Sequence, residues 1–596
     1  MSKLVRYASL GLVLVILLAG LSLVMAQDNG PGSGGAVVWG NQRGSANIDP
    51  LVPLRCSGVD CADINNLLYP VVMGIDPATQ GFAMGVPFAL ATDLQISDDL
   101  LTYTYKLRDD MTWNDGTPIT AYDVLFFWLA LQNMDPAEVS SSFAQNKQNL
   151  INAEVPEDDP YTIIFTYESA NCDGLRYSAG MVALPAHGYG WTPDMGADYD
   201  WTIPVGHAFD TAPTITSGPF KFTRTEAGTA IYLEADQNYA DPINGEYVLP
   251  QGLVYLDVPD YNVMAERFNA AQPGDVNYMN EPDSAVLPTL QEGPGQVFTA
   301  PGRLWHYVSL NLADPDNPQN GLDEDGNVID QGHHPILGDV RVRQALQYAV
   351  DIDAILNGPV NGNGVAMVAG TIPTAFTFDS AIQRRPFDLT EARRLLDEAG
   401  WVSTGDPLVD GGDGLRTCQG CMYAAEGTEF VLDMINPGDV RNDVAVLLQA
   451  QFAEVGVDVI VRPLDFNTMY DDNLGAQIYD TAVAGWRGSL PFNPDQRSFF
   501  GVENDIASTE SAGFNFGSYY NAEFETLSDQ IANNPGCDPE DIIAKAHQVQ
   551  QIFYDDQPYL WLYAFNSIYA AGPSVEGFDP YPSFGTWNID AWNVKQ

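Results

Sequence analysis

The stretch VDVIVRPLDFNTMYDDNLGAQIYDTAVAGW, residues Val457–Trp486, decides the fold class of this chain. The residues Val457–Val461 are mostly branched and apolar, as is typical of a strand, and Tyr479–Gly485 predicts a second strand. Residues 465–474 between them predict a helix. A strand, a helix and a strand in so short a stretch indicate a parallel βαβ unit. Because ligands of such sheets bind beyond the carboxyl ends of the strands, Trp486 and the residues after it are well placed for a site.

Three amphipathic helices are predicted upstream of this unit. The first begins at the candidate N-cap Asp339, and its apolar face consists of Val342, Ala345, Leu346 and Ala349. The other two are Glu391–Ala399 and Val440–Val455, and each is followed by a glycine, which commonly ends a helix. Helices that alternate with strands after residue 335 predict an α/β fold.

The first half of the chain is richer in strand patterns. Alternating residues predict a strand over Leu101–Leu107, and a capping box at Thr120–Asp123 predicts a helix over Ala121–Gln132. Further predicted strands are Ala36–Gly40, Tyr161–Tyr167 and Ala230–Leu233.

The first residues predict export. Lys3 and Arg6 precede the apolar run Ala8–Val24, and Val24-Met25-Ala26 has the form of a signal-peptidase site. We therefore expect a signal peptide over residues 1–26 and a flexible linker over 27–35, with an extracellular, cell-surface or periplasmic protein beyond. A retained membrane anchor is the alternative, because the run is long enough to be marginal for spanning a bilayer.

Charge is the outlying feature of the composition. The 596 residues include 25 Lys or Arg and 79 Asp or Glu, which gives a formal net charge of −54. Nucleic-acid binding depends on a basic surface that releases phosphate counterions, and anionic membranes also attract basic segments. We therefore expect neither kind of partner. The length exceeds what one hydrophobic core organises and predicts several domains.

Six cysteines in an exported chain favour disulfides. Six cysteines allow 15 connectivities, and the nearest-neighbour choice pairs Cys56 with Cys61 and Cys418 with Cys421, leaving Cys172 for Cys537. The alternative for Cys418 and Cys421 is half of a zinc site, although no second CxxC or CxxH motif completes it.

Several segments together resemble one family. They are KLRDDMTWNDGTPITAYDV (Lys106–Val124), SGPFKF (Ser217–Phe222), LEADQNYAD (Leu233–Asp241), DVRVRQALQYAVDIDAIL (Asp339–Leu356) and DTAVAGW (Asp480–Trp486). In this order they resemble the family 5 extracellular solute-binding proteins, which are the oligopeptide-, dipeptide- and nickel-binding components of ABC importers. The resemblance implies a monomer that captures a ligand outside the cell and delivers it to the permease subunits in the membrane.

The resemblance also implies an architecture. It is an α/β, two-lobed periplasmic-binding-protein type II-like fold with an additional inserted domain, in which the lobes close around the ligand. Mapped onto this chain, the first lobe is assembled from residues 36–72, 206–300 and 561–596. The inserted domain is 73–205, and the second lobe is 301–560.

Five residues are candidates for the ligand site. Trp486 resembles the family's cavity tryptophan, with a core residue at a strand end as the alternative. Arg487 is a rare cation that could bind a carboxylate or hydroxyl pair, or else form a surface salt bridge. Asn41 and Arg43 follow the first predicted strand and would face the cleft, unless they only form a turn. Ser489 stands where peptide-binding members of the family place an aspartate that holds the terminal amine.

That serine weakens the expectation of a peptide ligand, because a neutral hydroxyl offsets the desolvation of an ammonium group less well than a carboxylate. Peptide is therefore only narrowly favoured over oligosaccharide, and nickel complexes come third. No cofactor or metal is expected. The acidic loop DEDGNVID has its glycine at the wrong position for an EF-hand, which favours a solvated loop over a calcium site formed by Asp323, Asp325, Asn327 and Asp330.

Catalytic signatures are missing from the sequence. It contains no glycine-rich phosphate loop ending in Gly-Lys, no GxSxG elbow and no HExxH pair. We therefore expect a binding protein and no enzyme. A secreted hydrolase acting on peptides or glycans stays open as the alternative, because 79 carboxylates allow chance pairs of the kind that glycosidases use.

Overall fold

A computed structural model describes residues 35–42, 50–56, 59–140, 143, 150–172, 174–239, 248, 250–409, 412–509, 512–534 and 537–595. The predicted signal peptide, nearly all of the predicted linker and Arg43 lie outside these residues. Within the described ranges, no helix is long and apolar enough to cross a membrane.

The structure contains 21 strands in the described residues. They are β1 (Val37–Asn41), β2 (Gly74–Ile75), β3 (Phe82–Ala83), β4 (Ala91–Ile96), β5 (Thr102–Leu107), β6 (Leu150–Glu154), β7 (Thr162–Tyr167), β8 (Phe220–Glu226), β9 (Ala230–Ala235), β10 (Gly252–Asp257), β11 (Tyr278–Asn280), β12 (Gln296–Leu310), β13 (Gly364–Ala366), β14 (Trp401–Pro407), β15 (Gly414–Cys418), β16 (Val431–Asn436), β17 (Asp458–Pro463), β18 (Thr481–Arg487), β19 (Tyr559–Ala571), β20 (Val575–Glu576) and β21 (Asn593–Val594).

Helices lie between these strands. The α-helices are α1 (Val59–Asn65), α2 (Ala121–Asn133), α3 (Gly174–Ala179), α4 (Tyr261–Ala270), α5 (Leu287–Glu292), α6 (Val340–Tyr348), α7 (Ile352–Asn357), α8 (Leu389–Glu398), α9 (Asp439–Ala453), α10 (Arg497–Phe500), α11 (Ala522–Ala532) and α12 (Pro539–Asp556), and a π-helix covers Thr468–Gly475.

The chain divides into two units. Unit 1 takes in the described residues up to Ala170, Gly174–Thr299 and those from Ile568 onward, and unit 2 takes in 171–173 and Ala300–Ser567. This division does not separate residues 73–205 from the rest of unit 1, so the boundaries of the inserted domain stay a prediction.

Unit 1 combines two sheets. Its β1 pairs in parallel with β10 and β11, and β9 and β8 extend the β10 edge with antiparallel pairing. A separate antiparallel sheet has the order β4-β5-β7-β6. Helix α2 covers apolar residues of this region and begins where predicted, because the backbone N–H of Thr120 donates to the Asp123 carboxylate at 2.9 Å.

Unit 2 contains the two strands of the predicted βαβ motif, and a third strand, β16, lies between them in the sheet. The order is β17-β16-β18-β12-β19, in which β16 pairs in parallel with both β17 and β18, and β12 is antiparallel to β18. The strands predicted over Val457–Val461 and Tyr479–Gly485 are therefore confirmed as parallel. The predicted helix between them is the π-helix Thr468–Gly475. The mixed α/β fold with a large sheet agrees with the predicted fold class.

The predicted helices of unit 2 supply its core. Asp339 caps α6 by accepting from the Arg341 N–H at 3.0 Å, and the predicted face of α6 is fully buried. Val444 and Leu448 of α9 are also fully buried. Covering the sheet with these apolar faces is the main source of stability for such a layer.

The cysteines form three disulfides in the structure. Cys56 joins Cys61, Cys418 joins Cys421, and Cys172 joins Cys537. These are the nearest-neighbour pairs, and the zinc alternative for Cys418 and Cys421 does not fit two sulfurs bonded to each other. Cys172 is also held by its N–H, which donates to the Ala532 carbonyl at 2.7 Å.

Candidate functional site

The end of β18 carries two of the five predicted site residues, and a third, Ser489, follows directly after it. Thr481–Ala484 are buried, whereas Gly485, Trp486 and Arg487 are half-buried, so the strand emerges from the core at this point. The main chain stays fixed beyond the strand, because the Gly488 N–H donates to the Arg303 carbonyl at 2.9 Å. The Arg303 guanidinium in turn donates to the Gly488 carbonyl at 2.7 Å. Trp486 and Arg487 therefore project from a fixed strand end.

Gly485 is a glycine for a steric reason. A Cβ at this position would lie 2.6 Å from the ring of His306, which lies buried against it on β12. His306 bonds through Nδ1 to the Tyr563 hydroxyl at 2.9 Å. Burial lowers the pKa of His306 to about 3, so the ring is neutral and supports β18 as an uncharged group.

Trp486 lies within a cluster of aromatic rings, which we call the Trp486 cluster. Its ring contacts Phe499 at 4.8 Å, Phe514 at 5.2 Å and Phe516 at 5.6 Å between centroids. Beyond Phe516, the cluster continues through Tyr470 at 6.3 Å to Phe466, which lies 4.5 Å from Tyr470. The six members are Phe466, Tyr470, Trp486, Phe499, Phe514 and Phe516.

The cluster has a buried base and two exposed ends. Phe516 is buried, and Trp486, Phe499 and Tyr470 are half-buried. Phe514 is 44% exposed and Phe466 is 53% exposed. These two exposed rings are linked through the half-buried and buried rings between them. Exposed apolar side chains grouped in this way are common at interaction sites.

Asn515 positions the two phenylalanines on either side of it. Its buried amide donates to the carbonyls of Phe500 and Tyr519, and its Oδ1 accepts from the Tyr519 N–H. Because Asn515 is locked inward, Phe514 and Phe516 take the positions beside Trp486. Phe499 is placed by α10, in which its neighbour Phe500 is fully buried.

The carboxylates of Glu525 and Asp505 form hydrogen bonds that stabilise the segment after α10. Glu525 accepts from the Val502 N–H at 2.8 Å, and burial raises its pKa to about 7. Asp505 is buried, accepts from the Gln477 amide at 2.6 Å and the Ser518 hydroxyl at 3.3 Å, and its pKa is raised by burial to about 6. Both shifts follow from moving a carboxylate out of water.

Ser489 lies at the surface directly after this strand end. Its hydroxyl donates to the Pro491 carbonyl at 3.0 Å and accepts from the Asn493 N–H at 3.2 Å. The serine therefore closes a turn, and its predicted position opposite a ligand amine stays a prediction. Asp495, farther along, is paired with Arg497 at 2.7 Å.

The remaining predicted residues belong to unit 1. Asn41 is the last residue of β1, is half-buried, and its carbonyl accepts from the Val258 N–H at 2.7 Å. Arg43 lies outside the described residues. The structure thus brings together Trp486, Arg487 and Ser489 within unit 2, whereas Asn41 belongs to unit 1.

The acidic loop folds onto itself. The Asp323 carboxylate accepts from the backbone N–H groups of Asp325 and Asn327, at 2.9 and 2.8 Å, and from the Asn327 amide. These bonds lower the pKa of Asp323. In the described part of the chain, no three His, Cys, Asp or Glu side chains come together in a group that could hold a metal ion.

Sequence reasoning found Trp486 but missed the rings around it. The available signal is the alternation Phe514-Asn515-Phe516, because residues two apart in an extended chain lie on the same side. Tyr470 and Phe499 carry no such signal, because their contact with Trp486 depends on the packing of segments distant in sequence.

Comparisons with known proteins point to one family. The model of the bacterial extracellular solute-binding proteins, family 5, matches residues 86–507. The oligopeptide-binding protein AppA of Bacillus subtilis is 26% identical over 541 residues, covering 89% of this chain and 87% of its own length.

Solved structures share the fold. The structure of AppA from Bacillus subtilis in complex with a nonapeptide has a TM-score of 0.68 at 23% identity and covers 95% of this chain and all of its own. NikA from Brucella suis in complex with Fe(III)-EDTA has a TM-score of 0.72 at 17% identity, covering 94% of this chain and all of its own. At these identities the likeness concerns the fold alone.

Proposed function

The chain belongs to the bacterial extracellular solute-binding proteins of family 5, and from this premise we propose that it captures oligopeptides for an ABC importer. In this role it binds the peptide outside the cell membrane and delivers it to the permease subunits. The observation that carries the choice of peptide is the match to an oligopeptide-binding protein along most of both chains. Fold likeness alone would not support it, because the same fold binds a metal chelate in NikA.

The proposed ligand site is built on Trp486. An enclosed site gains most of its contact area from aromatic and apolar side chains, with a few polar groups that fix orientation. In our proposal Trp486 forms a wall of the cavity and Arg487 supplies a polar contact from the same strand end. Ser489, Asn41 and Arg43 complete the proposed set.

Two further features belong to the proposal. The mature protein begins at Gln27 after removal of residues 1–26, and it acts as a monomer with no catalytic step. The lobes of the proposal are residues 36–72, 206–300 and 561–596 for the first and residues 301–560 for the second. The supporting observations are the signal-like sequence, three disulfides suited to an oxidising compartment and the family membership.

Calorimetry with two defined ligand pools tests this function. We expect heat of binding with a pool of random-sequence pentapeptides and none with a pool of cello- and malto-oligosaccharides. Chromatography of the peptides after incubation should recover them intact. Binding of the sugars alone would contradict the choice of ligand, and cleavage of either pool would favour the hydrolase instead.

A further inference from the structure

We propose that the Trp486 cluster is a subsite for a bulky apolar side chain of the bound peptide, and that it prefers a peptide of positive charge. This rests on the proposed function and names the substrate class more narrowly. The cluster lies wholly within unit 2, so each contact that carries the inference belongs to one unit.

The rings of the Trp486 cluster are connected from one end of the cluster to the other. The rings form an unbroken series of contacts from Phe466 through Tyr470, Phe516 and Trp486 to Phe514. Exposed phenylalanines lie at both ends of this series, and its middle is fixed by buried residues. A rigid row of aromatic faces is suited to an apolar group, because the faces are already ordered before the ligand arrives.

Several polar side chains near the Trp486 cluster are already bonded to other groups of the protein. The Ser489 hydroxyl is used by the turn through Pro491 and Asn493. Asp495 and Arg497 form an ion pair at 2.7 Å. The Asn515 amide is buried and bonded to backbone carbonyls.

These bonds bear on the choice between a sugar and an apolar side chain. A sugar buried against an aromatic face still needs partners for its hydroxyl groups, because an unsatisfied hydroxyl costs free energy on burial. The polar side chains just named are engaged within the protein, and the remaining proposed contact at this strand end is Arg487. One guanidinium does not satisfy the several hydroxyl groups of a sugar. An apolar side chain makes no such demand, so it fits this surface better.

Negative charge lies next to the cluster in the sequence and dominates the whole chain. Asp471 and Asp472 directly follow Tyr470 in the π-helix, are exposed, and form no ion pair with a described Lys or Arg. The chain as a whole carries a net charge of −54. A field of this sign repels anionic peptides and attracts cationic ones. The occupant is therefore a peptide with a bulky apolar side chain and basic residues.

The test compares short synthetic peptides on the full protein. Three pools of alanine-based pentapeptides are used. In each pool one variable residue occupies every position in turn, and the peptides of the first two pools also carry one lysine. The variable residue is Phe in the first pool and Ser in the second. The third pool repeats the Phe series with Glu in place of the lysine.

We expect the Phe pool to bind about tenfold more tightly than the Ser pool, the scale of one well-buried aromatic contact. We also expect it to bind more tightly than the Glu pool, with a difference that shrinks in high salt. Equal binding of the Phe and Ser pools would overturn the subsite while leaving peptide capture intact. Failure of every peptide pool, together with binding of oligosaccharides, would instead overturn the proposed function.

Variants locate the effect on the cluster. Phe514→Ala removes a ring that is 44% exposed, so the fold should persist, and we expect the preference for Phe over Ser to fall about fivefold or more. The matched control is Phe387→Ala, which removes a ring of similar exposure, 47%, elsewhere in unit 2 and outside the cluster. The same loss in both variants, or a loss in neither, would contradict the assignment of the subsite to the Trp486 cluster.

Discussion

The ring of Trp486 stacks on that of Phe516, with centroids 5.6 Å apart and an interplanar angle of 16°. Phe516 is buried, so one ring fixes the orientation of the other at the end of β18. A tryptophan held in this way loses little freedom when a ligand packs against it, which favours binding.

The first prediction concerns Trp486 itself. Replacing it with Ala should weaken peptide binding by roughly 30-fold or more, because truncation of a buried aromatic at the centre of a site typically has this effect. Titration calorimetry gives the dissociation constant. Trp486→Phe keeps a ring in the stack and should lose much less. Unchanged affinity in the Ala variant would show that Trp486 is only a core residue.

The second prediction concerns the amine of the peptide. Ser489→Asp should improve binding of peptides with a free amino terminus relative to the same peptides after acetylation, because a carboxylate stabilises an ammonium group. The Asp side chain can still accept from the Asn493 N–H, so the turn should persist. If acetylation has the same effect in both proteins, position 489 does not contact the amine.

The third prediction is a rise in stability in mild acid. The pKa of Asp505 is raised from 3.8 to about 6 in the folded state. Between these two values the folded protein keeps a proton that the unfolded chain has lost, so the free energy of unfolding falls as the pH rises through this window. Glu525 acts in the same direction, from 4.5 to about 7. His306 acts in the opposite direction, because its pKa is lowered from 6.5 to about 3 and the unfolded chain takes up a proton on this ring that the folded protein does not. The carboxylates together outweigh this single ring, so we expect a higher Tm at pH 4.5 than at pH 7.5.

Asp505→Asn provides the control for this prediction, because it removes one of the carboxylate titrations that act in this direction. Asp123, whose pKa burial raises to about 6, is another of them. Its Tm should change less between the two pH values than that of the parent protein, as differential scanning calorimetry would show. A Tm that rises with pH in the parent protein would contradict the role assigned to the carboxylates.

The fourth prediction compares two disulfides. Cys172–Cys537 closes a separation of 365 residues, whereas Cys418–Cys421 closes one of 3. The chain-entropy model gives about 6 kcal/mol of stabilisation for the long loop and about 2 kcal/mol for the short one. Replacing the first pair with serines should therefore lower the Tm more than replacing the second. The opposite order, measured under identical conditions, would contradict this.

The sequence predicted the elements around the site better than the site. The strand that carries Trp486 near its end has a clear apolar run, and α6 and α9 have clear apolar faces, so local patterns were sufficient. The rings of Phe499 and Phe514 reach Trp486 only because Phe500 is buried and Asn515 is bonded inward. Such contacts between distant segments leave no periodic pattern. The interleaved lobes likewise came from the family resemblance and from no local signal.

Mass spectrometry of the ligand that co-purifies with the protein secreted by its native host tests the central claim most directly. The protein should be isolated without denaturation and its ligand released by acid and sequenced. We expect oligopeptides that are enriched in bulky apolar and basic residues compared with the peptides in the surrounding medium. Recovery of an oligosaccharide or a metal chelate in stoichiometric amount, with no peptide, would contradict it.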